Sequence, residues 1–97
     1  MRILGIDPGS RLTGFGVVEQ IQNRLLYVKS GVIKTPDTDQ AEKLLTIFEG
    51  LESVVFETKP DCFAIEQVFV HTNANTAIKL GQARGVAICS AHRHGLP

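Results

Sequence analysis

Ninety-seven residues suffice for one domain and no more, and 43% apolar against 21% charged residues is the balance of a globular chain rather than a disordered one. Ten basic and ten acidic side chains cancel, so no bulk positive charge marks a nucleic-acid binder; such binding would have to come from local placement of charge. No apolar run approaches the ~20 residues that cross a bilayer and the N-terminus lacks a signal-peptide pattern, so a single cytoplasmic domain over residues 1–97, with no membrane contact, is expected.

Arg2 to Asp7 reads as a short strand stopped by Pro8-Gly9. Thr13 to Ile21, β-branched and aromatic, reads as a second strand, Gln22-Asn23-Arg24 as a hairpin turn, and Leu25 to Thr35 as a third strand. These three form an antiparallel meander. After a break at Pro36-Asp37-Thr38-Asp39, Asp39 and Glu42 fit a capping box. Ala41, Leu44, Leu45, Phe48, Leu51 and Val55 then recur at helical spacing, as the buried face of a helix ending near Lys59, before Pro60. Asp61 to Val70, DCFAIEQVFV, is an apolar run with one internal acid, Glu66, and reads as a fourth strand. A second helix is predicted from about Asn75 to Arg93, capped by Asn73 or Asn75 and closed by Gly95. Gly81 and Gly85, with Ala77 and Cys89, share one of its faces. Mid-helix glycine costs about 1 kcal/mol against alanine, so that face is expected to lie close against the sheet or another subunit. Cys62 and Cys89 stand in no CxxC pattern and are expected as small buried hydrophobes.

The first strand ends in a carboxylate, which at the edge of a core needs a partner. A strand–helix–strand crossover brings the fourth strand parallel to the first, about 4.8 Å away. Ile3, Gly5 and Asp7 share one face; Ala64 and Glu66 share a face of the later strand; Leu4, Ile6, Phe63 and Ile65 point the other way. Asp7 and Glu66 then meet at the C-terminal strand ends, where open α/β sheets build their sites. Two such carboxylates repel by about 4 kcal/mol at an effective dielectric near 20. Protonation, a cation such as the Arg11 side chain, or a hard divalent metal ion relieves this. The alternative is structural: Asp7 caps the Pro-Gly turn and Glu66 faces solvent.

LGIDPGSRLTGFGVVE, PDCFAIEQVFV and NTAIKLGQARGVAI, in that order, closely resemble the RuvC-type crossover-junction endodeoxyribonucleases, the Holliday-junction resolvases. The resemblance implies an α/β, ribonuclease-H-like mixed sheet, an antiparallel three-strand meander plus a parallel fourth strand, with flanking helices. It implies a homodimer that cleaves four-way junction DNA in recombination and repair, using Mg²⁺ (or Mn²⁺) and working with the RuvA and RuvB branch-migration machinery. It further implies four acidic ligands, of which Asp7 and Glu66 match the first two. The family's other two aspartates lie in a later segment. Residues 1–97 are therefore expected to be a C-terminally truncated nuclease domain, poorly active or inactive alone.

In the resembled mechanism Asp7 and Glu66 are catalytic metal ligands. Gly9, Gly14 and Gly16 allow backbone to approach a phosphate, or serve only turn and strand geometry. Ser10 can donate to that phosphate, with Arg11 beside it as a DNA contact. Phe69 either stacks on an unpaired base or packs in the core. Asn73 contacts DNA or caps the second helix, and Lys79, like Arg84, either meets phosphate or forms a solvated face. Two other readings compete: a non-catalytic junction-binding or dimerisation module, and a phosphate-binding domain of the actin-like ATPase or sugar-kinase type, whose strand–Asp–Gly opening is similar.

Overall fold

The computed structural model describes residues 1–9, 11–66 and 74–93, with the side chains of Ala74 and Asn75 excepted. Strands β1 (Arg2–Asp7), β2 (Leu12–Ile21) and β3 (Arg24–Lys34) form the antiparallel meander. Helix α1 (Gln40–Thr58) crosses over to β4 (Cys62–Ile65), and helix α2 (Ala74–Arg93) follows. The sheet order is β3-β2-β1-β4, with β4 parallel to β1. This is the mixed sheet with flanking helices that the sequence predicts.

Strand alternation decides which face is covered. Leu4 and Ile6 of β1 and Val17 of β2 are buried, and they pack with Ile47, Leu51, Val54 and Val55 of α1 and Ala83, Ala87 and Ala91 of α2. Phe63 and Ile65 add to this side. The opposite face carries Gly5, Gly14 and Gly16, and no described side chain of either helix comes within 4 Å of where their Cβ atoms would be. Both helices thus sit on one side, and Asp7 belongs to the other.

Local chemistry sets the ends of α1. The Asp39 carboxylate accepts from the Glu42 N–H at 2.8 Å, satisfying one orphan donor of the first turn. Lys59 takes the left-handed conformation (φ 50°) and donates its N–H to the Val55 carbonyl at 2.8 Å. The middle of α1 lies close to β3. A Cβ on Gly50 would stand 2.8 Å from Ile33 Cδ1 and 3.0 Å from both its γ carbons. Because Ile33 is β-branched, those atoms cannot all rotate away. Gly50→Ala gains about 1 kcal/mol in helix propensity and loses about 1–3 kcal/mol to overpacking. A net loss near 1 kcal/mol is expected in urea denaturation; a stabilised variant would contradict the packing.

Three sequence expectations are corrected. The buried stripe of α1 runs through Ile47, Leu51, Val54, Val55 and Thr58, whereas Leu45 is 54% exposed and Ala41 faces solvent. The helix turns its stripe toward both the sheet and α2, so one periodic series does not describe it. On α2 the face turned to the sheet is Ala83, Ala87 and Ala91, not the Gly81–Gly85 face, beside which this chain leaves open space; only the sheet alternative is overturned. Cys89 is exposed and Cys62 only partly buried, so neither is the fully buried hydrophobe expected. The described part of β4 is Cys62–Ile65, and residues 67–70 of the expected fourth strand lie outside the described residues.

Candidate active site

The register places the two acids together. Gly5 pairs with Ala64 and Ile6 with Ile65. Beyond the last strand residue, the Glu66 N–H still donates to the Ile6 carbonyl at 3.1 Å, which continues the parallel ladder by one step. Asp7 and Glu66 therefore occupy equivalent positions on adjacent strands, and both are exposed. The Glu66 carboxyl is raised above its ordinary 4.5, first because it hydrogen-bonds to the Asp7 carboxylate, then because the two negative charges repel, and last through desolvation.

Two residues past Asp7, the Gly9 backbone is held by a single hydroxyl. Thr13 is fully buried, and its Oγ1 accepts from the Gly9 N–H at 3.3 Å and donates to the Gly9 carbonyl at 3.0 Å. Both backbone groups of Gly9 are thereby satisfied by one side chain. Glycine is needed there, since a Cβ on residue 9 would collide with the Leu12 carbonyl oxygen. On the other side, Arg84 of α2 donates from Nε to the Glu66 carbonyl at 3.2 Å, fixing the end of β4 against the helix. Sequence reasoning missed both anchors. The only trace of Thr13 is a β-branched hydroxyl four residues after Gly9, and Arg84 reads there as a phosphate contact or part of a solvated face, not as an anchor for the Glu66 carbonyl.

Thr13→Val keeps shape and volume but leaves the Gly9 groups without their partner, at a cost of about 1–3 kcal/mol. Chemical denaturation is expected to show that loss, with Thr13→Ser retaining most of the stability. Equal stability of the valine variant would mean that the clamp contributes nothing.

The far end of β1 is stapled separately. Arg2 donates its N–H to Asp61 Oδ2 at 2.7 Å and its Nη1 to the Thr58 carbonyl at 2.6 Å, while Asp61 N–H returns to the Arg2 carbonyl at 2.7 Å. Arg2 also pairs with Glu19 at 3.2 Å, beside the N-terminal ammonium at 3.0 Å. Those contacts lower the Glu19 carboxyl, the hydrogen bond from the terminal ammonium foremost. The charges in this staple are matched, whereas those of the Asp7–Glu66 pair are alike.

Beside Asp7 an open groove of about 640 Å³ runs over the glycine face, lined by Gly5, Gly14, Gly16, Ser30 and Gly31 among others. Gly5, Gly14 and Gly16 bring no side chain to this face, so the groove stays open beside Asp7. Among the described residues no three His, Cys, Asp or Glu side chains converge, and the acidic donors brought together at this edge are Asp7 and Glu66. It suits a hard divalent ion: Mg²⁺ is bound through one or two carboxylates, keeping waters and taking substrate phosphate oxygens for the rest. Arg11 is exposed at the entry to β2, and Lys79 is exposed on α2. Ser10, Phe69 and Asn73 lie outside the described residues. No helix among the described residues is long and apolar enough to cross a membrane.

The family model for the crossover junction endodeoxyribonuclease RuvC matches residues 3–97. Curated RuvC proteins of Burkholderia vietnamiensis and Burkholderia ambifaria are each 58% identical over all 97 residues, which make up 54% and 53% of their own lengths. The chain thus spans about half the length of these relatives. Among solved structures, T. thermophilus RuvC in complex with Holliday junction substrate matches with a TM-score of 0.88 at 28% identity, over 100% of this chain and 61% of that one. The Aquifex aeolicus Ppx/GppA phosphatase shares the fold alone, with a TM-score of 0.62 at 14% identity over 99% of this chain and 34% of that one.

Proposed function

The chain belongs to the RuvC family of crossover junction endodeoxyribonucleases, and on that premise we propose that it forms the Asp7–Glu66 half of a metal-dependent nuclease site acting on four-way DNA junctions. The observation that carries this reading is the pair itself. Two like charges side by side, one with a raised carboxyl pKa, are unfavourable without a cation and well arranged with one.

Asp7 and Glu66 hold the ion at the strand ends, and the glycine face admits the phosphodiester. Thr13 and Arg84 keep the two backbones in register. When bound, Mg²⁺, or Mn²⁺ in its place, supplies Lewis-acid polarisation of the phosphodiester and activates the attacking water. Ser10, Arg11, Asn73 and Lys79 are proposed as contacts to the DNA, and Phe69 as a platform for an unpaired base. A homodimer acting with RuvA and RuvB completes the proposal. Two metals clamping the attacking and leaving oxygens need more ligands than one carboxylate pair, so cleavage by residues 1–97 alone is expected to be weak.

The test is a labelled four-way junction and a linear duplex of the same sequence, incubated with the protein and Mg²⁺ or with a chelator. Metal-dependent incision confined to the junction is the expected result. Junction binding with no incision, in a form extended to the length of the relatives, would instead favour the non-catalytic module. Equal incision of the duplex would overturn the junction assignment.

A further inference from the structure

We propose that Arg11 and Lys43 form a second anion subsite, which takes a backbone phosphate of the DNA strand lying across the same edge of the sheet as Asp7 and Glu66. The inference rests on the nucleic-acid reading above, which supplies the phosphodiester. It adds a residue, Lys43, and a place that the family's acidic centre does not include.

Arg11, Thr35, Pro36, Asp37 and Lys43 line a cleft of about 390 Å³. Its position follows from topology. Asp7 ends β1, Arg11 precedes β2, Thr35 follows β3, and Lys43 stands early in α1, so all four belong to one end of the sheet. From β1 to β3 is two strand spacings, about 10 Å, or roughly three nucleotide rises of 3.4 Å along one strand. One strand of DNA can therefore meet both places.

The cleft is built, not accidental. The Arg11 carbonyl accepts from the Thr35 N–H at 3.0 Å and from the Thr35 hydroxyl at 3.2 Å, which ties the loop before β2 to the end of β3. Lys43 donates its backbone N–H to the Asp39 carbonyl at 3.1 Å, so its stem rises from the start of α1. A cation there opposes the helix dipole, whose N-terminal end is positive. A second cation, Arg11, lines the same cleft, and neither forms an ion pair among the described residues. Among the residues that line the cleft, Asp37 offsets one of the two positive charges and one remains; the Asp39 and Glu42 carboxylates stand nearby at the start of α1. An anion in the cleft relieves both the repulsion and the unfavourable dipole. A phosphodiester oxygen between a guanidinium and an ammonium is a common arrangement for positioning a nucleic-acid backbone.

The experiment is junction binding in a chelator, followed by fluorescence anisotropy over a series of salt concentrations. It uses the protein, Arg11→Gln, Lys43→Gln, the double variant, Asp37→Asn and Arg24→Gln. Glutamine keeps much of each stem, and thermal melts check that every variant is folded. Losing one phosphate contact lowers the salt slope by about 1 and weakens binding to any sequence alike. The double variant is expected to do this, and Asp37→Asn to tighten binding by about two- to fivefold. Arg24, in the β2–β3 turn region at the opposite end of the sheet, is expected to leave the slope unchanged.

An unchanged slope in the double variant, with the parent protein still binding, overturns the subsite and leaves the nuclease reading intact. The same decrement in Arg24→Gln also overturns it, because net charge would then explain the effect. Inorganic phosphate is titrated separately, with the Lys43 amide followed by NMR. Saturation there with a junction affinity indifferent to Lys43 would assign the cleft to free phosphate and overturn the DNA contact. Failure of the parent protein to bind any junction overturns both proposals.

Discussion

Asp7→Asn is expected to raise the melting temperature of the metal-free protein while abolishing its response to Mg²⁺. The reason is the sign of one shift. Glu66 in the folded chain holds its proton more tightly than an ordinary glutamate, because the Asp7 carboxylate hydrogen-bonds to the protonated form and repels the ionised one. A folded-state pKa above 4.5 means that the folded protein binds more protons than the unfolded chain in the window between the two values. The favourable contribution of that proton is therefore present at low pH and lost as pH rises through the raised folded value. At neutral pH, without metal, the pair opposes folding. Asparagine at position 7 removes the repulsion, so stability at neutral pH rises and its fall with increasing pH flattens. Mg²⁺ inverts the order. It stabilises the parent protein in proportion to its binding, more strongly at about pH 7.5 than at about pH 5, where protons compete for Glu66. The variant gains nothing from the ion. In a form competent to cleave, losing one ligand removes several kcal/mol of charge stabilisation, a rate loss of about 10²–10⁴-fold. Thermal melts with and without Mg²⁺ at both pH values check the stability half. A parent protein indifferent to Mg²⁺ would remove the metal from this edge.

The second large effect is structural. Leu4→Ala is expected to cost about 3–5 kcal/mol, the upper part of the range for a fully buried leucine. Leu4 has no exposed surface and lies on β1, an interior strand of the four, beneath both helices. Strands β2 and β4 flank it, and the pleated backbone cannot close the void. A domain of this size has a total stability of about 5–15 kcal/mol, so the variant should unfold at much lower denaturant or be partly unfolded at body temperature. It should also lose Mg²⁺ response only as it unfolds, which separates it from Asp7→Asn. A loss below about 1 kcal/mol would mean that the helices collapse into the space.

Strand alternation made the juxtaposition of Asp7 and Glu66 legible in the sequence. Gly5 and Ala64 are each two residues before an acid, and a parallel crossover is the simplest way to join the two strands. Together they predicted which side of the sheet Asp7 and Glu66 would share. The bounds of β1 and the Asp39 cap were equally readable, because each is a local event. The second helix was not. It carries two stripes of small residues, Gly81–Gly85–Cys89 and Ala83–Ala87–Ala91, offset by two positions. At 3.6 residues per turn that offset is about 200°, so the stripes lie on opposite faces. Either could be the packed one, and only tertiary structure chooses the alanines. Thr13 and Arg84 escaped for a related reason. Each matters through a backbone partner, Gly9 or the Glu66 carbonyl, and sequence patterns register side-chain types rather than the carbonyls that they meet.

The β1–β4 ladder also sets an order of events. Arg2 and Asp61 join it across 59 residues of chain, so its pairing closes a longer loop than either hairpin of the meander and is expected to follow them. The acids become neighbours at that late step. Until β1 and β4 pair, the proposed carboxylate pair does not exist, so on that reading ion binding would report the pairing.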